Sequence, residues 1–161
     1  MAEPQIRVAR PDDVPALVRL VHELAAYEKA PEQCRLTEEQ LRERLFGESP
    51  AVFAHVAEVE GEVVGTAIWF LNFSTWDGVH GIYLEDLYVT PEHRGAGLGG
   101  ALLATLAQVC VERGYSRLVW QVLDWNAPSI AFYESLGAVH QREWFTYRLS
   151  GDPLQRLGTS S

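Results

Sequence analysis

The sequence has little sulfur and no long apolar run. Its two cysteines, Cys34 and Cys110, are too few for a disulfide framework and do not form a CxxC pair. The five histidines are scattered and lack the HExxH spacing of zinc proteases, so we expect no metal. No apolar stretch approaches the roughly 20 residues that a membrane-spanning helix needs, so we expect no membrane partner.

Positive charge is also scarce. The chain has 13 Lys and Arg against 22 Asp and Glu, a formal net charge of −9. Nucleic-acid binding depends on cationic side chains that neutralise phosphates, so we expect no nucleic-acid partner. An acidic surface suits a small cationic ligand, although net charge can also serve solubility alone. The first ten residues lack the apolar core of a signal peptide, which predicts a cytoplasmic protein.

The chain length and the hydrophobic periodicity predict one α/β (α+β) domain over residues 1–150, followed by a flexible tail at 151–161. The predicted elements are a strand at 5–9, a helix capped by Asp12, a helix capped by Thr37, strands at 52–59, 63–72 and 81–89, a helix at 97–113, a strand at 118–123, a short helix capped by Asn126 and a strand at 139–149. The order β-α-α-β-β-β-α-β-α-β indicates a sheet covered by helices.

The strongest chemical signal is a glycine-rich segment between a predicted strand and a predicted helix. Gly95, Gly97, Gly99 and Gly100 lie within six residues, directly after Arg94. Glycine lets backbone N–H groups approach a bulky anion, and the start of a helix adds free donors. The segment therefore predicts a phosphate-binding loop, with a turn that only permits close packing as the other interpretation.

Two kinds of phosphate ligand can be weighed from this segment. No GKS or GKT follows the glycines, which excludes a P-loop. Gly95, Gly97 and Gly100 satisfy GxGxxG, and Asp124 ends the next predicted strand, as in a dinucleotide fingerprint. However, five residues separate Val89 from Gly95, whereas the dinucleotide turn is tight, and the loop follows a meander rather than a first strand.

A different pattern fits the same residues better. Arg94, Gly97 and Gly99 satisfy R-x-x-G-x-G, and this segment resembles the pyrophosphate loop of the GCN5-related N-acetyltransferase family. The segments YLEDLYV at 83–89 and WNAPSIAFY at 125–133 resemble two further motifs of that family. Together with ELAAYE at 23–28, they are similar to the diamine (spermidine/spermine) and thialysine acetyltransferase branch.

The resemblance implies a mixed, mostly antiparallel sheet flanked by helices, and acetyl-CoA as the cosubstrate. It places the pantetheine arm beside the strand that precedes the loop and the pyrophosphate in the loop itself. The implied cofactor-binding residues are Leu87, Tyr88, Val89, Arg94, Gly95, Ala96, Gly97, Leu98, Gly99, Gly100, Asn126 and Ser129. Asn126 and Ser129 have a second interpretation as helix-capping residues.

The resemblance also implies catalytic and substrate-binding side chains. Tyr133 corresponds to a general acid that protonates the leaving thiolate, and Glu85 to a substrate contact that takes a proton through water. Neighbouring strand residues point to opposite faces, so only one of Glu85 and Asp86 is expected to face the cleft. The further implied substrate-binding residues are Tyr27, Glu28, Trp76, Glu143 and Trp144.

The sequence departs from the diamine branch at one informative position. Ser74 stands where the diamine enzymes carry an aspartate, which weakens the case for a polyamine and favours thialysine, lysine or a similar amine. We therefore expect an N-acetyltransferase that acts on a primary amine of a small molecule, and by resemblance a homodimer. The alternatives are an acyl-CoA-binding module without catalysis, or acetylation of a protein lysine or an aminoglycoside.

Overall fold

The computed structural model describes residues 3–159. Its sheet has five strands in the order β1-β2-β3-β4-β5, antiparallel except for β5, which runs parallel to β4. The strands are β1 (Gln5–Val8), β2 (Phe53–Val59), β3 (Glu62–Ser74), β4 (Val79–Val89) and β5 (Leu118–Val119). The mixed, mostly antiparallel sheet is therefore confirmed, although β5 is much shorter than the predicted 118–123.

Three helices flank this sheet: α1 (Val14–Tyr27), α2 (Glu38–Phe46) and α3 (Leu98–Arg113). The core between α1, α2 and the sheet is formed by buried aliphatic side chains such as Leu17, Leu20 and Leu41. Helix α3 packs on β4 through its own buried leucines, among them Leu102 and Leu106. Among the described helices, none has both the length and the apolar character that crossing a bilayer requires.

Local sequence signals account for several element boundaries. The Thr37 hydroxyl accepts from the Gln40 backbone N–H at 3.2 Å, and the Gln40 side chain accepts from the Thr37 N–H at 3.0 Å, so the predicted capping box is confirmed. Glu60 and Gly61 both have positive φ, 52° and 82°. Two such residues form the tight turn that two-residue hairpins favour, and they join β2 to β3 as predicted.

The start of α1 differs from its prediction, because Asp13 precedes the helix where Asp12 was expected to cap it. The Asp13 carboxylate accepts two hydrogen bonds from the Arg7 guanidinium, at 2.7 and 3.0 Å, and a third from the Arg10 backbone N–H. This bidentate pair is about nine-tenths buried. It fixes the entry of α1 onto β1, and hence the position at which α1 ends near β4.

The chain divides into two compact units, of which the first ends at Leu123 and the second begins at Asp124. The second unit contains α4 (Ala127–Ser135) and α5 (Gly151–Thr159). The predicted domain limits, 1–150 with a tail at 151–161, stay a prediction. Within that tail, α5 is a helix that the sequence analysis does not predict; Asp152 and Pro153 in its first turn suit a helix N-terminus.

The strand predicted at 139–149 is absent from the structure, and that element of the order is wrong. In place of a strand ladder, this segment makes short turn hydrogen bonds, from the Arg142 N–H to the His140 carbonyl and from the Trp144 N–H to the Gln141 carbonyl. A β-strand requires a partner for its backbone groups, and none of the described residues supplies one here. The observed order therefore ends in two helices.

Candidate active site

The glycine loop joins the end of β4 to the start of α3. A single turn at Pro91–His93 follows the strand, and Gly95 and Gly97 then adopt positive φ values of 87° and 80°. Gly97 is the N-terminal cap of α3. Residues other than glycine rarely adopt this conformation, so the sequence at these two positions is dictated by the backbone path.

The start of α3 presents unpaired donors. The Ala101 N–H bonds to the Gly97 carbonyl, whereas the N–H groups of Leu98, Gly99 and Gly100 donate to no acceptor among residues 3–159. These groups lie at the positive end of the helix dipole. The arrangement fits an anion such as a pyrophosphate.

Gly99 supplies a separate test of whether the loop fits such a group. A Cβ built on this residue would have no heavy atom within 4 Å, and its φ is not positive. Neither packing within the chain nor backbone strain therefore requires glycine at this position. Glycine there leaves the helix start open to the close approach of a ligand to the backbone, so the loop can admit a bound diphosphate.

Arg94 is held in place by two aromatic rings. Its guanidinium carbon lies 5.2 Å from the centroid of the Tyr27 ring and 5.3 Å from that of Tyr88. Its Nε donates to the Val89 carbonyl at 2.9 Å. A cation between two ring faces loses little further freedom when it binds a phosphate, so the rings position the one fixed charge of the loop.

Polar side chains of α1 hold the Tyr88 ring. The Tyr88 hydroxyl donates to Glu23 at 3.2 Å, and Arg19 forms an ion pair with Glu23 at 3.4 Å. Burial first, and then the charge of Glu23, raise the pKa of the Tyr88 phenol. The sequence analysis gives Glu23 no function of its own beyond its place in the ELAAYE segment, although its position one helical turn before Tyr27 could have placed it on the same face of α1.

These residues border an open cleft of about 720 Å³ in the first unit. Its walls come from the second half of α1, the start of β3, the end of β4 and the turn that follows. Tyr27, Tyr88 and Arg94 all line it. The cleft is therefore bordered by the Arg94 guanidinium together with the two tyrosine rings that it contacts.

A β-bulge places two carboxylates of β4 differently from the sequence expectation. Ile68 pairs with Asp86 but the next residue of β3, Trp69, pairs with Leu84, so Glu85 is the extra residue of β4. Across the bulge, three steps along β4 from Tyr83 to Asp86 are paired with only two steps along β3. The regular alternation of side chains between the two faces of β4 therefore stops there. The expectation that only one of Glu85 and Asp86 can serve the cleft rested on that alternation and loses its basis.

The electrostatics group these carboxylates with Glu28 at the end of α1. Burial, then the charge of Glu85, then that of Glu28 raise the pKa of Asp86 to about 7. Partial burial and the charge of Glu85 also raise the pKa of Glu28. The pKa of Tyr83 is raised by the same two causes. Repulsion among Glu28, Glu85 and Asp86, the acidic group, is relieved by a proton or by a bound cation.

The acidic group and the glycine loop meet at the end of α1, where Tyr27 touches Arg94 and the adjacent Glu28 interacts with Glu85.

Ser74, where the diamine enzymes carry an aspartate, has a structural role in this chain. Ser74 is buried, and its hydroxyl accepts from the Asp77 N–H at 3.1 Å in the turn after β3. Trp76 lies in that turn and is 89% exposed, so the described contacts do not connect it to the acidic group.

The remaining predicted residues lie in the second unit. The Asn126 side chain accepts from the Ser129 N–H at 3.4 Å, so its capping role is confirmed. Tyr133 lies on α4, with its ring 5.6 Å from that of Phe132. Glu143 and Trp144 lie in the irregular segment between α4 and α5. The catalytic, coenzyme and substrate roles of these residues stay predictions.

Comparison with known proteins identifies the kind of enzyme to which this fold and loop belong. The model of the acetyltransferase (GNAT) family matches residues 17–138. The chain therefore belongs to this family and is an acetyltransferase, and enzymes of this family use acetyl-CoA as cosubstrate. Among residues 3–159, no group of three or more His, Cys, Asp or Glu side chains is arranged to hold a metal ion.

Individual relatives cover nearly the whole chain. A thialysine N-epsilon-acetyltransferase from Bos taurus is 40% identical over 98% of this chain and 98% of its own length. A human spermidine/spermine N(1)-acetyltransferase-like protein 1 is 32% identical over 93% of this chain and 23% of its own. Among solved structures, an integron cassette protein from V. cholerae has a TM-score of 0.83 and 27% identity, covering 99% of this chain and 100% of its own.

Proposed function

We propose that the protein transfers the acetyl group of acetyl-CoA to a primary amine of a small, lysine-like molecule, with thialysine or lysine as the favoured class. The observation that carries the proposal is the acidic group beside the glycine loop. Three carboxylates whose charges repel one another attract an ammonium ion. The names of the full-length relatives support the same class of acceptor.

Acetyl-CoA would supply an activated acetyl group. In the proposal its pyrophosphate is held by the N–H groups between Gly95 and Gly100, including those of Ala96 and Leu98, and by the side chain of Arg94. Leu87, Tyr88 and Val89 border the arm that leads to the thioester. A backbone N–H of this strand can face the thioester oxygen and stabilise its developing negative charge.

The acidic group would bind the acceptor and remove its proton. An amine must be neutral to attack, whereas a lysine-like ammonium is charged at neutral pH. Glu85 and Glu28 attract the ammonium, and Asp86, with its pKa near 7, is matched to accept a proton directly or through water. The family resemblance alone is the ground on which Trp76, Glu143 and Trp144 are proposed as further contacts of the acceptor.

Tyr133 is the proposed general acid. A phenol with an ordinary pKa near 10 can protonate a departing thiolate. Asn126 and Ser129 are proposed to line the arm of the coenzyme in addition to their capping contact, which orders the first turn of the helix that carries Tyr133.

We also propose that the protein works as a homodimer in the cytoplasm. Trp144, Phe145 and Tyr147 are between 67% and 91% exposed, and a run of exposed aromatic side chains favours burial against a partner. Both cysteines are free thiols, which suits a reducing compartment.

The test is the release of CoA thiol from acetyl-CoA with an amine panel of thialysine, lysine, putrescine, spermidine, an aminoglycoside and a lysine peptide. We expect the highest kcat/KM with thialysine or lysine. Glu85→Gln should raise the KM for the amine and leave that for acetyl-CoA unchanged, with Glu48→Gln, on the exposed surface after α2, as the matched control.

Three outcomes would change the proposal. A preference for spermidine or putrescine would assign the acidic group to polyamines instead. Turnover of only the aminoglycoside or the peptide would replace the acceptor class. Absence of acetyl-CoA binding by calorimetry would remove the proposed role of the loop.

A further inference from the structure

A smaller cavity of about 240 Å³ lies in the first unit, between the start of β2, the end of α2 and the end of α3. It is separate from the glycine loop, because α3 has 16 residues and its two ends are about 24 Å apart. Its walls are mainly apolar and include Phe46, Phe53, Trp69 and Val109. Neither the proposed chemistry nor the coenzyme loop uses this cavity.

One polar side chain of the cavity, His55, is only 8% exposed and has a fixed tautomer. The indole N–H of Trp69 donates to His55 Nδ1 at 3.2 Å. An indole nitrogen is a donor only, so Nδ1 is the acceptor and carries no proton. Burial and then the charge of Arg113 lower the pKa of His55, which keeps the ring neutral. The single ring proton therefore sits on Nε2.

Among residues 3–159, none accepts a hydrogen bond from the Nε2–H group of His55. Two side-chain atoms of residues 3–159 are fully buried and lack a partner, Arg7 Nε and Asn72 Oδ1. His55 Nε2 also lacks a partner in this part of the chain but is not one of these two, so it is not fully buried. It therefore presents a donor to the accessible space of the cavity that the ring lines.

Arg113 adds a positive charge at the same place. Its guanidinium carbon lies 5.9 Å from the centroid of the Trp69 ring, and Nη1 donates to the Tyr115 hydroxyl at 3.4 Å. Within residues 3–159, no carboxylate pairs with it, and the described residues that line the cavity include no Asp or Glu. The chain as a whole has a net charge of −9, whereas Arg113 gives the rim of this aromatic cavity a local positive charge.

We propose that this cavity is a second small-molecule site, for a monoanionic carboxylate that carries an aromatic ring or a short hydrocarbon chain. The side-chain groups that His55 and Arg113 present at the cavity, the Nε2–H and the guanidinium, are both donors, so the ligand must supply acceptors to them. The carboxylate bonds to these two groups. The apolar part packs on the Phe53 and Trp69 rings, whose centroids are 4.8 Å apart.

The chemistry of the walls also limits the ligand. A cation is disfavoured, because Arg113 repels it and the described lining residues include no carboxylate that offsets that repulsion. A coenzyme-sized molecule does not fit a volume of about 240 Å³. The site is thus selective for a small anion and differs in charge preference from the acidic group at the end of α1.

The experiment uses phenylacetate as the probe and phenylacetamide as its neutral isostere, with the full chain and no acetyl-CoA. Binding is measured by calorimetry, and the imidazole signals of His55 are followed by long-range ¹H–¹⁵N spectra. We expect the Nε2–H tautomer in the free protein, a shift of its signal with phenylacetate, and at least about tenfold weaker binding of phenylacetamide, since charge-assisted hydrogen bonds are the stronger ones.

Variants at an exposed position keep the test independent of folding. Arg113→Gln should weaken phenylacetate binding about tenfold, and Arg113→Lys should restore part of it. Arg156→Gln, on exposed α5, is the matched control and should bind like the original chain. Equal affinity for the two probes, unchanged binding by Arg113→Gln, unmoved His55 signals or no binding of phenylacetate at millimolar concentration would each overturn the proposal.

Discussion

The guanidinium carbon of Arg94 lies 5.2 Å from the centroid of the Tyr27 ring, which joins the end of α1 to the glycine loop. The sequence analysis assigns Tyr27 to the acceptor amine. Its contact with Arg94 gives it a second role, the positioning of the charge that we propose for the coenzyme. Because Glu28 is the next residue, a movement of this end of α1 affects both the loop and the acidic group.

Replacement of Tyr27 tests that positioning role. Tyr27→Leu removes a cation–π contact worth about 0.5–1 kcal/mol, so we expect the Kd for acetyl-CoA to rise about two- to fivefold. Tyr27→Phe keeps the ring and should retain the affinity. Calorimetry with both variants measures the effect without turnover. Tighter binding by Tyr27→Leu would instead mean that the ring withholds Arg94 from the ligand.

Gly99 separates the demands of folding from those of binding. A Cβ at this position meets no atom of the protein, so Gly99→Ala should raise the free energy of unfolding by about 0.5–1 kcal/mol. The same Cβ would press on a ligand at the helix start, and we expect the affinity for acetyl-CoA to fall at least about tenfold. Thermal melts and calorimetry on one sample measure the two quantities.

The matched control for Gly99 is Gly158 on α5, whose added Cβ likewise meets nothing within 4 Å. Gly158→Ala should leave acetyl-CoA binding unchanged. If Gly99→Ala also binds acetyl-CoA normally, the glycine is not there to admit the coenzyme, and the fit of the loop to a diphosphate fails.

Asp86 gives the stability of the protein a pH dependence of unusual sign. Its pKa is about 7 in the folded chain against 3.8 for the free side chain, so the folded state binds more protons between these values. The free energy of unfolding should therefore fall as pH rises from about 4 to 8, by up to about 4 kcal/mol at 1.36 kcal/mol per pKa unit. Asp86→Asn should flatten this part of the curve, measured by urea unfolding at several pH values.

Two controls isolate the source of that dependence. Asp77→Asn, in the exposed turn after β3, should keep the original curve. Glu85→Gln should move the midpoint to lower pH, because the charge of Glu85 is one of the causes that raise the pKa of Asp86. A curve that is unchanged in Asp86→Asn would show that another group titrates in this range.

Sequence patterns predicted those features of the fold and of the candidate site that depend on residues close together in the chain. The loop from Arg94 to Gly100, the cap at Thr37 and the turn at Glu60 are local, and each has a backbone reason that can be read from the chain. The start of α3 at Leu98 follows from the same local chemistry.

The features that sequence reasoning missed depend on pairing between distant residues. The bulge at Glu85 is a shift in the pairing of β3 with β4 beside Trp69. The sequence of β4 alone does not mark the extra residue, because the pairing partner lies on another strand. The contact between Tyr27 and Arg94 joins positions far apart in the chain. The predicted strand at 139–149 has suitable residues, but none of the described strands pairs with it, and propensity alone does not form a strand.

Tyr133 provides the clearest separation between catalysis and binding. If the phenol protonates the leaving thiolate, Tyr133→Phe should lower kcat at least about 100-fold, the lower range for removal of a general acid, while the Kd for acetyl-CoA stays the same. Tyr147→Phe, at a 91% exposed tyrosine, keeps the aromatic ring of the proposed dimer surface, so it is the matched control and should retain turnover. The readouts are stopped-flow CoA release and calorimetry.

The pH profile of kcat distinguishes an acid from a packed aromatic. Loss of a phenol that acts as an acid removes the alkaline limb of the profile, because no group is left whose deprotonation stops the reaction. A packing role beside Phe132 would instead leave kcat, thermal stability and the shape of the profile unchanged, because phenylalanine keeps the ring. Unchanged turnover in Tyr133→Phe would assign the proton to water or to another group, and α4 would then serve only to hold the coenzyme.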